Sequence, residues 1–286
     1  MAENKKEKRD PKKRALEVQF AIRKAMDRVK HKVLVLSGKG GVGKSTVAVN
    51  LAFGFARSGY KVGLLDIDIH GPSIGKMTGI EGQYLTGDGE TITPLEVDGV
   101  KIITMASLLP PGDTPVIWRG PMKMQAIDQF LSEIDWGDLD MLVIDSPPGT
   151  GDEPLSIIQR LPEMDGAVIV STPQDVALSD ARRTVNFSQK LDIPVLGVIE
   201  NMSGFRCPHC GEVTDIFKKG GGEKAAGNME LDFLGSLPIE PAVMAASDTG
   251  KPFVLESEGG ESRQRMLEIV ETLEKKIGLS DSPDDA

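Results

Sequence analysis

Two short clusters in the sequence combine residue types at spacings that can do chemistry. The first is Gly38-Lys39-Gly40-Gly41-Val42-Gly43-Lys44-Ser45, where closely spaced glycines let consecutive backbone N–H groups turn inward around an anion. An apolar run at 33–36 precedes it and a segment of helical periodicity at 44–57 follows, so the loop would sit on the positive end of a helix dipole. Lys44 would neutralise β- and γ-phosphates there, and Ser45 could ligate Mg²⁺. The second cluster is Cys207-Pro208-His209-Cys210-Gly211, whose two thiols can face one metal ion or each other.

Carboxylates that could complete a phosphoryl-transfer site stand at the ends of two further apolar runs. Asp66-Ile67-Asp68 closes the run at 62–65, and Asp145 closes the run at 141–144. One carboxylate in such a place can hold Mg²⁺ directly or through water while another orients the attacking water. On that reasoning Asp145 belongs to the Mg²⁺ shell, Asp66 contacts metal-bound water and Asp68 activates the attacking water. Capping of a turn or helix is the alternative for Asp66 and Asp68, and Asp152 is read as such a cap.

A dithiol redox site would place Cys-X-X-Cys at a helix N-terminus. Here the pair follows an apolar strand and a turn at Gly204, and precedes a strand-like stretch at 212–217, which fits a hairpin knuckle presenting both sulfurs to one metal. The chain contains two cysteines, so a four-thiolate site needs a second copy. Zn²⁺ and a [4Fe–4S] cluster both accept such a set, with zinc slightly ahead on ligand chemistry alone. His209 is read as an exposed spacer pointing away from the metal.

The elements that must position these clusters follow from the apolar pattern. Runs at 33–36, 62–65, 141–144, 167–170 and 195–199 alternate with helical segments at 44–57 and 178–190, which predicts an α/β fold. The expected architecture is a mostly parallel sheet with helices on both faces and the ligand crevice at the carboxyl ends of the strands. A first helix is expected at 15–30, carrying Leu16, Phe20 and Met26, and a last one at 262–277. The Pro- and Gly-marked stretch 71–121 reads as an excursion from the sheet, with weak strands at 91–97 and 101–105.

With 286 residues, 40% of them hydrophobic and 27% charged, the chain can build one large core and is too apolar for disorder. Its net charge of −10 argues against broad attraction to nucleic acid or anionic lipid. Residues 1–32 nevertheless hold twelve Lys or Arg against five Asp or Glu, so a +7 start precedes a −17 remainder. The expected organisation is a basic disordered arm at 1–14, one domain at 15–278 and an acidic disordered tail at 279–286. The arm lacks the apolar segment of a secretory signal and no run is long enough to span a membrane, so a cytoplasmic protein without membrane contact is expected.

Lys39 to Ser45 resembles the deviant Walker A motif of the MinD/ParA and nitrogenase iron protein class of P-loop NTPases. By that resemblance Lys39 acts on the partner subunit's phosphates like an arginine finger, and the implied assembly is an ATP-sandwich dimer. Four further motifs accompany it: Leu65-Asp66-Ile67-Asp68-Ile69-His70-Gly71-Pro72-Ser73, Trp118-Arg119-Gly120-Pro121-Met122, Asp145-Ser146-Pro147-Pro148-Gly149-Thr150-Gly151-Asp152, and Glu200-Asn201-Met202-Ser203 before the cysteines. Together they resemble the Mrp/ApbC/Nbp35-type iron–sulfur cluster carriers over about residues 15–275.

The resemblance implies a homodimeric ATPase that binds ATP and Mg²⁺ and hydrolyses ATP slowly. It would bridge a labile [4Fe–4S] cluster between Cys207 and Cys210 of two subunits, taking it from cluster donors and passing it to apoproteins. The implied nucleotide cradle is Gly38, Lys39, Gly40, Gly41, Val42, Gly43, Lys44, Ser45 and Thr46, with Lys39, Lys44 and Asp68 as its catalytic set. Asn201 matches an adenine contact and Gly235 to Pro238 a loop closing over the base; ordinary strand-end turn chemistry is the alternative for both. Trp118 and Arg119 match signature positions without a derivable role. Residues 1–32 contain no cysteine, so the extra N-terminal cluster of the eukaryotic branch is missing. A MinD/ParA-like positioning or partitioning switch is the competing reading, with the cysteines as a zinc staple. An electron donor like the nitrogenase iron protein places its cysteines in a different local pattern.

Overall fold

The structure is a computed structural model describing residues 11–68, 71, 73–87, 91–108, 120–207, 209–256 and 260–279. Helix α1 (Pro11–Met26) leads into β1 (Val29–Leu36), α2 (Lys44–Arg57), β2 (Val62–Asp66) and the single-turn α3 (Ile74–Met77). A small ribbon of β3 (Thr86–Gly87) and β4 (Ile92–Thr93) precedes β5 (Leu95–Val97), β6 (Val100–Thr104), α4 (Gly120–Glu133) and β7 (Leu139–Asp145). Then come α5 (Asp152–Ile158), β8 (Gly166–Ser171), α6 (Asp175–Lys190), β9 (Val195–Arg206) and β10 (Val213–Thr214). The chain closes with α7 (Gly221–Asn228), β11 (Phe233–Ile239), α8 (Pro241–Asp248) and α9 (Glu261–Ile277).

Among the described residues the main sheet runs in the order β10-β9-β8-β1-β7-β2-β6-β5, with β11 paired to β9. Its pairs are parallel except β5 with β6 and β10 with β9. Buried parallel strands are apolar on both faces, and their side chains alternate between two cores. Val33 and Val35 of β1, with Met141 and Val143 of β7, pack under α2, α8 and α9. Leu34 and Leu36, with Leu142 and Ile144, pack on the opposite side under α1, α4, α5 and α6. Each such fully buried side chain contributes about 1.5–3 kcal/mol, whereas an exposed rim pair such as Arg28 with Asp138 is screened by solvent and contributes little. The alternation therefore holds the layers together.

Several boundaries differ from the sequence reading. Helix α1 ends at Met26 because β1 already begins at Val29, where Val29 pairs with Leu139. The helix starts at Pro11, which moves residues 11–14 out of the expected arm; residues 1–10 lie outside the described residues, as do 280–286. Leu279 is buried in the core, so it does not belong to the expected tail. Helix α1 buries Ile22 and Met26, while Leu16 and Phe20 are 67% and 71% exposed. The stretch 100–104 is no excursion, since β6 pairs in parallel with β2 inside the sheet. Gly235 to Pro238 is strand β11 rather than a loop, because β9 continues past residue 199 and offers it a partner.

Candidate functional site

Parallel register brings the chemistry to one edge. β1, β7 and β2 are neighbours, with Val35 beside Asp145 and Asp145 beside Asp66, and the glycine loop runs from the end of β1 to the first turn of α2. The loop is built to fixed shape. Gly43 caps α2 with φ 81°, which requires glycine, and a Cβ on it would displace the Asn201 amide nitrogen, 2.1 Å away. Gly38 is pressed against α6, where a Cβ would lie 2.5 Å from the backbone of Asp180.

A cavity of about 390 Å³ opens over this loop, lined by Lys39, Gly40, Gly41, Gly43, Lys44, Ser45, Thr46, Asp68 and Pro148 among others. Lys44 is buried, and its Nζ donates to Asp145 Oδ1 at 2.6 Å and lies 3.9 Å from Asp68 Oδ2. Ser45 Oγ donates to Asp145 Oδ2 at 2.6 Å. Asp145 is thus read by both loop side chains at once. The segment after it is tied to the loop's root: Ser146 Oγ donates to the Val35 carbonyl at 2.9 Å and Gly149 N to the Ser37 carbonyl at 2.8 Å. Asp152 is the first residue of α5 and Gly151 its N-cap, so Asp152 does not hold the cap position expected of it.

Asp66 stands behind the others. Its Oδ2 accepts from Thr104 Oγ1 at 2.7 Å and its Oδ1 from Asp68 N at 3.0 Å. Burial, then the neighbouring Asp145 charge, pushes its carboxyl up to about 8. Burial also raises Asp145, against the pull of Lys44. Sequence reasoning did not find Thr104, whose lone hydroxyl at the end of β6 carries no motif.

A second cavity of about 590 Å³ continues from the first, sharing Gly41, Gly43 and Thr46 and lined further by Asn201, Met202, Phe217, Leu237, Pro238 and Met244. Asn201 Nδ2 donates to the Val42 carbonyl at 2.9 Å, which brings the predicted base-contacting residue to the glycine loop; Pro238 lies across the same cavity. Met202, Phe217 and Met244 were not singled out from the sequence, since lone apolar residues carry no spacing signal. Trp118 and Arg119 lie outside the described residues.

The cysteines cap the far end of β9. Val213 pairs antiparallel with Arg206, Cys207 N donates to the Glu212 carbonyl at 2.9 Å and Gly211 N to the Cys207 carbonyl at 2.9 Å. This is a hairpin knuckle, with ladder pairing limited to Val213–Thr214. Cys207 is half-buried and Cys210 exposed; His209 is exposed. The backbone N–H groups of Cys210 and His209 lower the Cys207 thiol below its usual value, favouring the thiolate that binds metal. Pro208 lies outside the described residues. Among the described residues no three His, Cys, Asp or Glu side chains converge as a metal site, and no helix is long and apolar enough to cross a membrane.

A parallel sheet with a glycine loop at its switch point, a buried lysine and a serine on the following helix define a P-loop NTPase. The chain belongs to the family described as ParA: NUBPL iron-transfer P-loop NTPase, whose profile matches residues 28–274. It is 49% identical over 270 residues to an iron-sulfur cluster carrier protein of Methanocaldococcus jannaschii, covering 93% of each chain. It is also 49% identical to a cytosolic Fe-S cluster assembly factor NUBP2 homolog of Monosiga brevicollis, covering 88% of this chain and 90% of that one. Among solved structures, a nucleotide-binding protein from Archaeoglobus fulgidus in complex with ADP superposes with TM-score 0.72 at 36% identity, covering 82% of this chain and 92% of that one. The cell division ATPase MinD of Pyrococcus furiosus shares the fold, with TM-score 0.66 at 21% identity over 86% of this chain and 98% of that one.

Proposed function

We propose that this chain is an ATP-dependent iron–sulfur cluster carrier. Two copies hold a labile [4Fe–4S] cluster through Cys207 and Cys210 of each and pass it to apoproteins in the cytoplasm. The observation that carries this reading is the knuckle: both thiols stand on one turn at the outer end of β9, and one chain supplies half of a four-thiolate set. The relatives named as cluster carriers support the cargo, and the name of the Monosiga brevicollis relative supports the location.

The loop fits a nucleotide's phosphates. Positions where a Cβ on Gly40 or Gly41 would point are open space, the positive end of α2 faces them, and Lys44 and Ser45 stand at the cavity wall. In the proposed cycle Lys44 leaves Asp145 for the phosphates, and Ser45 and Asp145 are then free to hold Mg²⁺, which neutralises phosphate charge when bound. Asp68, which faces the cavity, orients the attacking water, and Asp66 backs Asp145 and fixes the backbone of Asp68. Lys39 reaches the nucleotide of the other subunit. Hydrolysis by the isolated chain is slow, and membrane is not a partner.

Anaerobic reconstitution with iron and sulfide, followed by size-exclusion chromatography and metal analysis, tests this reading beside a Cys207→Ser/Cys210→Ser control. The expected result is about two iron and two sulfide per chain in a dimer, lost in the control. About half a zinc per chain with no cysteine-dependent iron would overturn it in favour of a structural zinc staple.

A further inference from the structure

The segment that carries the cysteines leaves and re-enters the second cavity. Outbound, Met202 lines that cavity immediately after Asn201, which is fixed to the glycine loop; returning from the knuckle, Phe217 lines it again. Buried Glu200 clamps the two limbs together, accepting from Ser203 Oγ on the outbound side and from Gly220 N and Gly222 N on the return. The excursion 202–217 is therefore a rigidly rooted lever with the thiols at its tip and two apolar side chains at its base.

The outbound limb is irregular at one place. While β11 advances from Leu237 to Ile239, β9 advances from Asn201 to Phe205, so β9 carries surplus residues as a bulge. Met202 at φ 58° and Gly204 at φ 77° absorb it. Pro238 stands opposite, where no N–H is available to a ladder. A left-handed non-glycine residue persists only where its surroundings hold it. Here they include the wall of the cavity that a ligand would fill.

We infer that Met202 and Phe217 are coupling residues: a nucleotide base seated in the 590 Å³ cavity presses on both limbs of the lever and resets the geometry of Cys207 and Cys210. The inference deepens the cluster-carrier reading and rests on it for the biological use of the lever. A base can shift the knuckle only by binding one arrangement better than the other, and contact with the side chain in the bulge and with the returning limb supplies that difference.

The test uses the reduced, metal-free full-length chain. Alkylation of Cys207 and Cys210 by iodoacetamide is followed separately by mass spectrometry, with and without Mg·ADP, at saturation verified by calorimetry for each variant. In the unmodified chain Mg·ADP is expected to change the rate at one or both cysteines by about fivefold or more. Met202→Gly, which keeps the positive φ without a side chain, and Phe217→Ala, at a half-buried position, are expected to bring that ratio to about one at saturation. Val176→Ala on the exposed face of α6 is expected to keep it. An unmodified chain whose thiol rates ignore Mg·ADP, or saturated variants that keep the full ratio, would overturn the inference. Because the readout needs no cluster, failure of reconstitution and failure of coupling are separate results.

Discussion

The Nζ of Lys44 donates to Asp145 Oδ1 at 2.6 Å, so the cation of the glycine loop is matched by a buried carboxylate. A phosphate must compete with Asp145 for this lysine, and success frees Asp145 and Ser45 together. Removing the lysine would leave the buried Asp145 carboxylate without the cation that it accepts from. Lys44→Ala is accordingly expected to abolish nucleotide binding in calorimetry. It should also destabilise the ligand-free protein by about 3–5 kcal/mol near neutral pH. Unchanged chemical denaturation would contradict the second half of this expectation.

The carboxyl of Asp66, pushed up to about 8, makes ligand-free stability depend on pH in a defined direction. The folded state keeps a proton that an unfolded aspartate releases near about 4. The associated stability is therefore fully present below that value and is lost as pH rises towards the folded value. Melting temperature should fall between about pH 4 and about pH 8, and Asp66→Asn should flatten the slope. Mg·ADP should also flatten it by bringing cationic charge to the pair. A slope that survives Asp66→Asn would assign it to other groups.

At the knuckle, the N–H groups of Cys210 and His209 favour the thiolate of Cys207, although Cys210 is the more exposed of the two. Thiolate fraction governs alkylation more strongly than modest differences in access. Peptide mapping after limiting alkylation near neutral pH should find Cys207 modified first. Modification of Cys210 ahead of Cys207 would show that exposure wins.

The sheet was legible where burial on both faces writes a continuous apolar run, as at Val33 to Leu36 and Met141 to Ile144. It was illegible where a strand is punctuated: Gly235 and Pro238 make β11 read as a loop, and its pairing depends on β9 continuing for 12 residues. The glycine loop, Asp145 and the cysteines announce themselves by residue type and spacing. Thr104 and Phe217 do not, since a hydroxyl at a strand's end and an apolar residue beyond a hairpin gain their roles only from what the fold brings opposite them. Likewise, nothing in the spacing of Asp66 and Asp68 says that one faces the cavity and the other stands behind it, which follows from β2 ending at Asp66, between Thr104 and Asp145.

Two glycines of one loop should respond differently to the same added methyl group. On Gly38 a Cβ would lie 2.5 Å from the Asp180 carbonyl carbon and oxygen, and helix backbone cannot step aside cheaply. Gly38→Ala should therefore lower ligand-free stability by about 1–3 kcal/mol and weaken nucleotide binding by displacing the loop. On Gly40 a Cβ would meet no atom within 4 Å, so Gly40→Ala should melt with the unmodified protein. Its methyl group would nevertheless point into the space that the phosphates are proposed to fill, and nucleotide affinity should drop. Denaturation and calorimetry on the two variants separate fit to the protein from fit to the ligand. If both variants keep full affinity, the phosphates do not sit in this loop.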